Sequence, residues 1–546
     1  MSGAAGRPYD VAIVGAGPVG SLCALAHARK GARVALFEAN PRGAGRLAGE
    51  WLHPPAVRIL REVGIDIDAL PHSIPGNGFA VFPEDGSEPI LLPYPDGSRG
   101  LACDHALLVS SLREAIEKEA DVDFISHARV KAVDDGRVAF SVSGDERTVT
   151  AARIVGADGR ASIVRQSLGL STDPILCSRM LGVTIGEAGL PFEGYGHVVL
   201  GGPGPILIYG LAGGCVRVIV DLPLDRWTPR DRIAFLSESC AGLLPGALGP
   251  AFVEALRAGQ FDAAANQLRP RVTYGSPRRV LIGDAAGHYH PMTAVGMTLG
   301  FGDALALAGS RDFRDFTAER FRETRIPEFL AMGLYEVFAD HRVESMALRS
   351  AIYRSWRANS AYRDRTTRIL ACEDRTVTRM SLAFCRTVVG ALAGEVSLSF
   401  RQYALHRART VFHALAVRLW WLVDGARQLR RARREGREED RQARRSLARA
   451  FLYSMPSGSK PSRPARSREV ESPDAGPALK SAAARLLSLQ REDGAWEGEM
   501  VWCPMLTAQY ALLHHIVGRP LEPGRRRRVL RSFDRTRLEG GAWGLH

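Results

Sequence analysis

The residues best suited to chemistry form a glycine-rich turn near the start of the chain. Gly15, Gly17 and Gly20 follow the apolar run Tyr9–Val14 and precede a helical pattern that ends near residue 30. Without side chains, the backbone at such glycines can turn tightly and approach a pyrophosphate, and the N-terminus of the following helix supplies amide donors. Glu38 ends the next strand-like run, where a carboxylate can accept hydrogen bonds from ribose hydroxyls. This spacing predicts the binding of a dinucleotide.

Two later motifs narrow the choice of dinucleotide. Asp158 stands at the end of one strand-like run, Gly283 and Asp284 stand at the end of another, and Gly296 and Met297 follow shortly after. The order and spacing of these motifs resemble those of a large superfamily of flavoprotein hydroxylases. The resemblance implies that Asp158 shapes the cofactor cleft and that Asp284 binds the ribityl chain. It also implies that the helix after Gly296 points its N-terminus at the flavin ring, so the expected cofactor is FAD.

Four further segments resemble the squalene monooxygenase family in particular. They are Arg46–Pro54, Leu92–Pro95, His290–Thr298 and Leu330–Phe338, and the whole resemblance covers about residues 8–340. It implies that Arg46 lies beside the flavin and that Tyr94 and His53 shape the substrate pocket. The implied reaction is the epoxidation of a linear isoprenoid alkene, squalene or a similar chain, through a flavin hydroperoxide. NADPH would supply the electrons, either directly or through a reductase partner.

The chain departs from that family at three places. His53 occupies the position of a glutamine, so the usual hydrogen bond to Tyr94 is not assumed. The arginine expected shortly before Leu112 and Arg113 is missing, with histidine, alanine and leucine at 105–107. Two glycines of the loop after His290 are replaced by alanine and valine at 294 and 295, which predicts a narrower pocket.

Two other functions remain open at this point. A flavoprotein resembling geranylgeranyl reductases would share the FAD motifs but add hydrogen to alkenes, and oxygen consumption separates it from an epoxidase. A non-catalytic isoprenoid-binding protein could keep the same fold, and failure to bind FAD would favour it.

The elements that must position these residues predict an α/β fold. We expect a Rossmann-like FAD-binding domain with an inserted β-sheet substrate domain, followed by a helical C-terminal region. The FAD-binding parts are placed at 1–170 and 276–345, and the β-rich substrate domain at 171–275. A helical and possibly membrane-associated region follows at 346–452. Residues 453–477 are rich in Pro and Ser, which is typical of a linker.

The segment 478–546 resembles the beginning of squalene–hopene and related triterpene cyclases. Gln490, Gly494 and Trp496 match the family's Q-x-x-x-G-x-W repeat, and a degraded copy ends at Trp543. The acidic D-x-D-D motif of those enzymes does not occur in the sequence, so we expect no cyclase activity. The juxtaposition favours a triterpene-type substrate because epoxidation and cyclisation of one isoprenoid are consecutive reactions.

Composition and charge limit the partners. The formal net charge is +13, and residues 427–449 carry ten arginines against four acidic residues. Such a basic face can bind anionic lipid. A basic motif interleaved with aromatic residues, which would favour nucleic acid, is not found.

The expected location is the cytoplasm, because no leader and no run of 18 apolar residues is evident. The basic face would allow peripheral binding to the inner face of the membrane. The eight cysteines are scattered and the histidine pairs lack nearby carboxylates at ligand spacing, so no metal is expected.

Overall fold

The computed structural model describes residues 7–402, except for 41–46, 48, 69, 71–72, 171–173 and 227–230. Arg46, the arginine-rich stretch 427–449, the linker and the cyclase-like segment therefore lie outside the described residues. Everything below concerns the described part of the chain.

Strands and helices alternate up to about residue 282, and helices follow. The strands are β1 (Tyr9–Val14), β2 (Val34–Phe37), β3 (Trp51–Leu52), β4 (Ser73–Gly76), β5 (Gly78–Phe82), β6 (Ile90–Pro93), β7 (Gly100–Cys103), β8 (Val122–Ile125), β9 (Ala128–Asp134), β10 (Arg137–Val142), β11 (Asp145–Gly156), β12 (Ile175–Ile185), β13 (Tyr195–Val199), β14 (Ile206–Gly210), β15 (Val216–Pro223), β16 (Asp262–Leu268) and β17 (Arg279–Leu281). The helices are α1 (Pro18–Ala28), α2 (Pro54–Glu62), α3 (His105–Glu117), α4 (Ile163–Ser167), α5 (Arg232–Cys240), α6 (Leu248–Arg257), α7 (Gly296–Gly309), α8 (Phe313–Ala339), α9 (Val343–Ala358), α10 (Ser360–Leu370) and α11 (Val377–Gln402).

The first sheet carries the cofactor motifs. Its order is β8-β2-β1-β11-β10-β9, and β17 pairs in parallel with the end of β11. Strands β1, β2, β8, β11 and β17 run parallel, so their carboxyl ends meet along one edge. β1 and β2 are nearly continuous apolar runs because helices cover both faces of such strands. This is the expected Rossmann-like unit, and it places the turn after β1 beside the turns after β11 and β17.

The second sheet contains the strands of the expected substrate domain. Its order is β16-β12-β15-β14-β13-β5-β6, and it is antiparallel apart from the β13–β5 pair. Strands β5 and β6 come from residues 78–93, within the range assigned above to the first FAD-binding part. Strand β5 pairs with β13, and so β5 and β6 complete a sheet whose five other strands begin at residue 175 or later. The local sequence pattern does not reveal this pairing.

Helices α8–α11 pack beside the β5–β6 edge of this second sheet. Tyr335, Phe338 and Trp356 join Val81 and Leu92 in one buried apolar cluster. The expected helical C-terminal region is thus confirmed, and its described part ends at residue 402. Within the described residues, no helix is both long enough and apolar enough to cross a bilayer.

Candidate cofactor and substrate site

In the turn between β1 and α1, the three glycines have different surroundings. Gly15 has φ +97°, and a Cβ there would lie 2.8 Å from the carbonyl oxygen of Ala157. A Cβ on Gly20 would lie only 1.8 Å from the Gly15 carbonyl oxygen. By contrast, nothing lies within 4 Å of the Cβ position of Gly17, which immediately precedes α1. Two glycines are therefore required by packing, and the third leaves room for a ligand at the helix N-terminus.

Glu38 lies beside that turn, together with an arginine that sequence reasoning missed. The backbone N–H of Ala16 donates to Glu38 Oε2 at 2.9 Å. Arg113 donates to the Ala16 carbonyl through Nε at 3.0 Å and Nη2 at 2.8 Å, and its Nη2 is 3.1 Å from Glu38 Oε2. The family resemblance predicts an arginine near residues 105–107 instead. Position 113 is two helical turns beyond residue 106 and so lies on the same face of α3, which is the signal that could have found it.

The two predicted aspartates differ in exposure and partners. Asp158 Oδ2 accepts from the Ile163 backbone N–H at 2.7 Å, and its Oδ1 is buried without a hydrogen-bond partner among the described residues. Burial raises the pKa of this carboxyl group. The Asp284 side chain is 42% exposed on the cleft wall, with Arg160 Nε 3.4 Å away. Asp284 is therefore placed to meet a ligand, whereas one oxygen of Asp158 stabilises the turn into α4.

A buried ion-pair cluster supports the turn that carries Asp284. Asp303 is fully buried. Its carboxylate accepts hydrogen bonds from Arg320 Nε at 2.8 Å and from Arg271 Nη1 at 2.5 Å. The same carboxylate accepts from the Gly283 backbone N–H at 2.9 Å, and Gly283 has φ +57°. Glu328 Oε1 lies 2.9 Å from Arg271 Nε, so two arginines balance two carboxylates and the cluster can fix the turn without an uncompensated buried charge.

Helix α7 begins at the same cleft. Nothing lies within 4 Å of the Cβ position of Gly296, its first residue, and Met297 also lines the cleft. Just before it, Ala294 adopts left-handed backbone angles, φ +52° and ψ 22°. The first helical amides thus lie at the cleft, where they can stabilise negative charge.

These residues together line one large cleft of about 1640 Å³ that runs from the Gly15 turn to Met297. The open space at Gly17 and Gly296, the partly exposed Asp284 and the Arg113–Glu38 pair are the groups that a flavin dinucleotide would need. The described residues therefore fit FAD. No group of three or more metal-ligating side chains occurs within that part of the chain.

Behind the cleft wall, Trp51, His53 and Tyr94 form a hydrogen-bonded chain. Trp51 Nε1–H donates to the Tyr94 hydroxyl at 2.9 Å, and the hydroxyl is 2.8 Å from His53 Nδ1. His53 Nε2 lies 2.7 Å from the carbonyl oxygen of Thr293. Because a carbonyl can only accept, the proton sits on Nε2, and Nδ1 accepts from Tyr94. Histidine thus makes the hydrogen bond to Tyr94 that the sequence had left in question.

Burial keeps this chain neutral. It lowers the pKa of His53 to about 4 and raises the pKa of Tyr94 above its ordinary value. Trp51 borders the cleft, whereas His53 and Tyr94 do not. The two residues predicted as pocket-shaping are therefore held behind the wall and act through the residues in front of them.

A second buried polar network crosses from the cleft wall to the second sheet. Arg217 binds the Glu50 carboxylate with both arms, Nη2 to Oε1 at 2.7 Å and Nε to Oε2 at 3.0 Å. The Tyr209 hydroxyl also donates to Glu50 Oε2 at 2.8 Å. Such a bidentate pair has fixed geometry, so it joins the segment after residue 49 to strands β14 and β15.

The loop 290–296 separates the cleft from a second cavity, and His290 anchors it. His290 Nε2 is 2.9 Å from Ser178 Oγ, which donates to Asp221 Oδ1 at 2.6 Å. Asn266 Nδ2 donates to the same carboxylate oxygen at 2.7 Å. The His290 ring stacks on Tyr335 with centroids 3.6 Å apart. Three strands of the second sheet and one helix thus hold the loop in place.

The second cavity, of about 250 Å³, is almost entirely apolar. Met292 and Thr293 of the loop form part of its wall, and Phe79 and Leu92 come from the sheet edge. Helices α8–α11 supply most of the remaining wall, including Leu334. The cofactor-sized cleft and an apolar cavity therefore lie on the two sides of one short loop.

Comparison with known proteins places this arrangement in a class. The fold resembles that of a probable FAD-dependent monooxygenase from Pseudomonas aeruginosa, PqsL, with a TM-score of 0.54 at 22% identity over 61% of this chain and 97% of that one. It also resembles p-nitrophenol 4-monooxygenase from Pseudomonas putida, with a TM-score of 0.55 at 20% identity over 68% and 99%. The chain therefore has the fold that these FAD-dependent monooxygenases share.

Residues 8–310, more than half of the chain, match the family described as FAD binding domain, and the protein belongs to that family. Its sequence is 29% identical over 388 residues to a squalene epoxidase of Aspergillus fumigatus, covering 63% of this chain and 78% of that protein. It is 27% identical over 375 residues to mouse squalene monooxygenase, where the match spans 63% of this chain and 64% of the mouse protein. Residues 479–546 match the squalene–hopene cyclase N-terminal domain.

Proposed function

We propose that the protein uses FAD to transfer one oxygen atom to a double bond of a linear isoprenoid alkene, squalene or a similar chain. The observation that carries the proposal is the placement of the apolar cavity beside the cofactor-sized cleft, with the loop 290–296 contributing residues to the walls of both. The sequence similarity to squalene monooxygenases supports the same substrate class.

In this proposal the glycine turn, Glu38, Arg113 and Asp284 hold the cofactor. A bound FAD, once reduced, would activate dioxygen, so that one oxygen atom is transferred to an electron-rich alkene and the other leaves as water. Trp51, with His53 and Tyr94 behind it, forms a rigid wall that orients the chain. The apolar lining excludes water from the reacting double bond. Oxygen transfer requires both a fixed orientation of the alkene and a site without water.

The enzyme also needs a source of electrons and access to its lipid-soluble substrate. NADPH, directly or through a reductase partner, reduces the flavin. The basic segment 405–450, outside the described residues, brings the protein to the inner face of the membrane, where such alkenes are stored. A protein lacking 405–450 that still bound anionic vesicles as well as the intact chain would contradict that location.

A cavity-filling variant tests the two-site arrangement. Nothing lies within 4 Å of the Cβ position of Gly333, which lines the apolar cavity, so Gly333→Leu should occupy the cavity without disturbing its walls. We expect FAD binding to persist and turnover of the isoprenoid to fall at least about tenfold. Gly189→Leu, at an exposed position with open space, is the matched control. Unchanged turnover in Gly333→Leu would overturn the assignment of this cavity to the substrate.

A further inference from the structure

The apolar cavity contains one cation that its surroundings leave without a partner. Arg365 lies on α10 and lines the cavity together with Tyr362, Thr366 and Ile369, which occupy the same face of that helix. Arg365 is half-buried, and among the described residues it makes no hydrogen bond and no ion pair. A guanidinium group carries five N–H donors, so this side chain has donors available to a ligand in the cavity.

The other polar side chains that helices contribute to this wall are already engaged. Glu336 lies 3.7 Å from Arg342, and the Tyr362 hydroxyl accepts from Arg386 at 3.3 Å. The hydroxyl groups of three further residues donate to backbone carbonyls one helical turn earlier: Ser355 to Ala351, Thr366 to Tyr362 and Thr387 to Ala383. Among the described polar residues of the helical wall, Arg365 thus differs in having no internal partner; on the loop, the Thr293 hydroxyl also has none.

A purely hydrocarbon ligand would leave the Arg365 guanidinium without a partner. Filling the cavity with alkene carbons would remove water from the Arg365 guanidinium and return no hydrogen bond, which costs free energy. A ligand that carries a carboxylate or phosphate at one end would pair with the guanidinium, and arginine matches both groups bidentately.

The loop 290–296 and Arg365 belong to different elements of the cavity wall. Met292 and Thr293 line the cavity from a loop whose Pro291 and Ala294 line the cofactor cleft, whereas Arg365 lies on α10. A chain bound with its alkene toward the loop would then have its terminal group free to meet Arg365.

We propose that the cavity binds isoprenoids with an anionic end group, a carboxylate or a phosphate, more tightly than neutral chains, and that Arg365 binds that group. This inference rests on the proposed function, because it specifies the substrate class of the same cavity. It makes Arg365 a specificity-determining residue rather than a participant in oxygen transfer.

Equilibrium binding tests the inference without any turnover. The full-length, FAD-loaded protein is titrated calorimetrically with geranylgeranoic acid, geranylgeranyl monophosphate and neutral geranylgeraniol, which share one hydrocarbon chain. We expect at least one anion to bind about tenfold or more tightly than the alcohol, a difference of about 1.4 kcal/mol. The more tightly bound anion identifies the end group as carboxylate or phosphate.

Three variants locate the preference. Arg365→Gln should abolish it, and Arg365→Lys should keep part of it because the charge remains without the planar fork. Arg379→Gln, at an exposed arginine that pairs with Asp374 outside the cavity, should leave it unchanged. The flavin absorbance spectrum and Tm of each variant report whether it folds and holds its cofactor.

Three results would overturn the inference: equal binding of the alcohol and both anions, a preference that survives Arg365→Gln, or one that is lost equally in Arg379→Gln. Failure of the proposed function looks different, because a protein that binds the anion selectively but never oxygenates an alkene loses only the epoxidase assignment. One that oxygenates squalene without any preference among the three ligands loses only this inference.

Discussion

His53 Nδ1 lies 2.8 Å from the Tyr94 hydroxyl, while Nε2 of the same ring lies 2.7 Å from the Thr293 carbonyl oxygen. One histidine therefore connects the aromatic wall behind the cofactor cleft to the loop that separates the cleft from the apolar cavity. Both contacts are fully buried, so each lost partner would leave a polar group without water.

Replacement of His53 tests this connection. A glutamine can accept from Tyr94 and donate to Thr293, so His53→Gln should retain most of the stability and the activity. His53→Leu leaves both groups unsatisfied and should cost about 1–3 kcal/mol for each in the free energy of unfolding. Urea unfolding of the two variants measures the difference, and equal losses would contradict the assigned hydrogen bonds.

The lowered pKa of His53 predicts a specific pH dependence of stability. Burial holds the folded-state pKa at about 4, below the ordinary value of 6.5, so the unfolded chain binds the proton first as pH falls. Above pH 6.5 the residue contributes no slope; from 6.5 down to about 4 it removes stability, by at most about 1.4 kcal/mol per pH unit. Other buried histidines add similar slopes, so the measurement is the difference between the parent and His53→Gln. A difference that does not change with pH would refute this assignment.

Arg113 provides a test of the cofactor site. Its guanidinium holds the Ala16 carbonyl and Glu38, so Arg113→Leu should loosen the glycine turn and leave Glu38 without its cation. We expect the Kd for FAD to rise by roughly tenfold, or about 1.4 kcal/mol. Arg137→Leu, at an exposed strand position outside the cleft, serves as the control. The tightness of FAD binding is measured by fluorescence of the released flavin, and an unchanged Kd would remove Arg113 from the site.

Ala294 carries a backbone cost that glycine would remove. An L-residue with φ +52° is less stable than one in the right-handed region by about 1–2 kcal/mol, part of which the greater freedom of unfolded glycine offsets. Ala294→Gly should therefore stabilise the protein by up to about 1 kcal/mol. Ala306→Gly, inside α7, should destabilise it by roughly 0.5–1 kcal/mol. Thermal unfolding compares the two, and destabilisation by both would contradict the left-handed assignment.

The sequence predicted the cofactor half of the molecule well because its signals are local. The apolar run Tyr9–Val14 became β1, and the glycine turn follows it as expected. Apolar strands bounded by glycine are readable without tertiary information. The resemblance to flavoprotein hydroxylases added Asp158 and Asp284, motifs whose meaning depends on order rather than on local pattern.

What the sequence did not predict depends on contacts between distant segments. The pairing of β5 with β13, over a hundred residues apart, carries no local signature. The role of Arg113 required knowing which face of α3 meets the turn at Ala16. Glu50 was noted only within a motif, and its bidentate partner Arg217 lies 167 residues away.

The central claim is oxygen transfer to an isoprenoid alkene, and isotope labelling tests it most directly. The FAD-loaded protein is reduced anaerobically with NADPH, or with dithionite if NADPH fails, and then mixed with squalene and ¹⁸O-labelled dioxygen. The account predicts a product that contains one labelled oxygen atom and forms only when both dioxygen and squalene are present. A product that gains hydrogen but no oxygen, or squalene recovered unchanged beside fully reoxidised flavin, would contradict it.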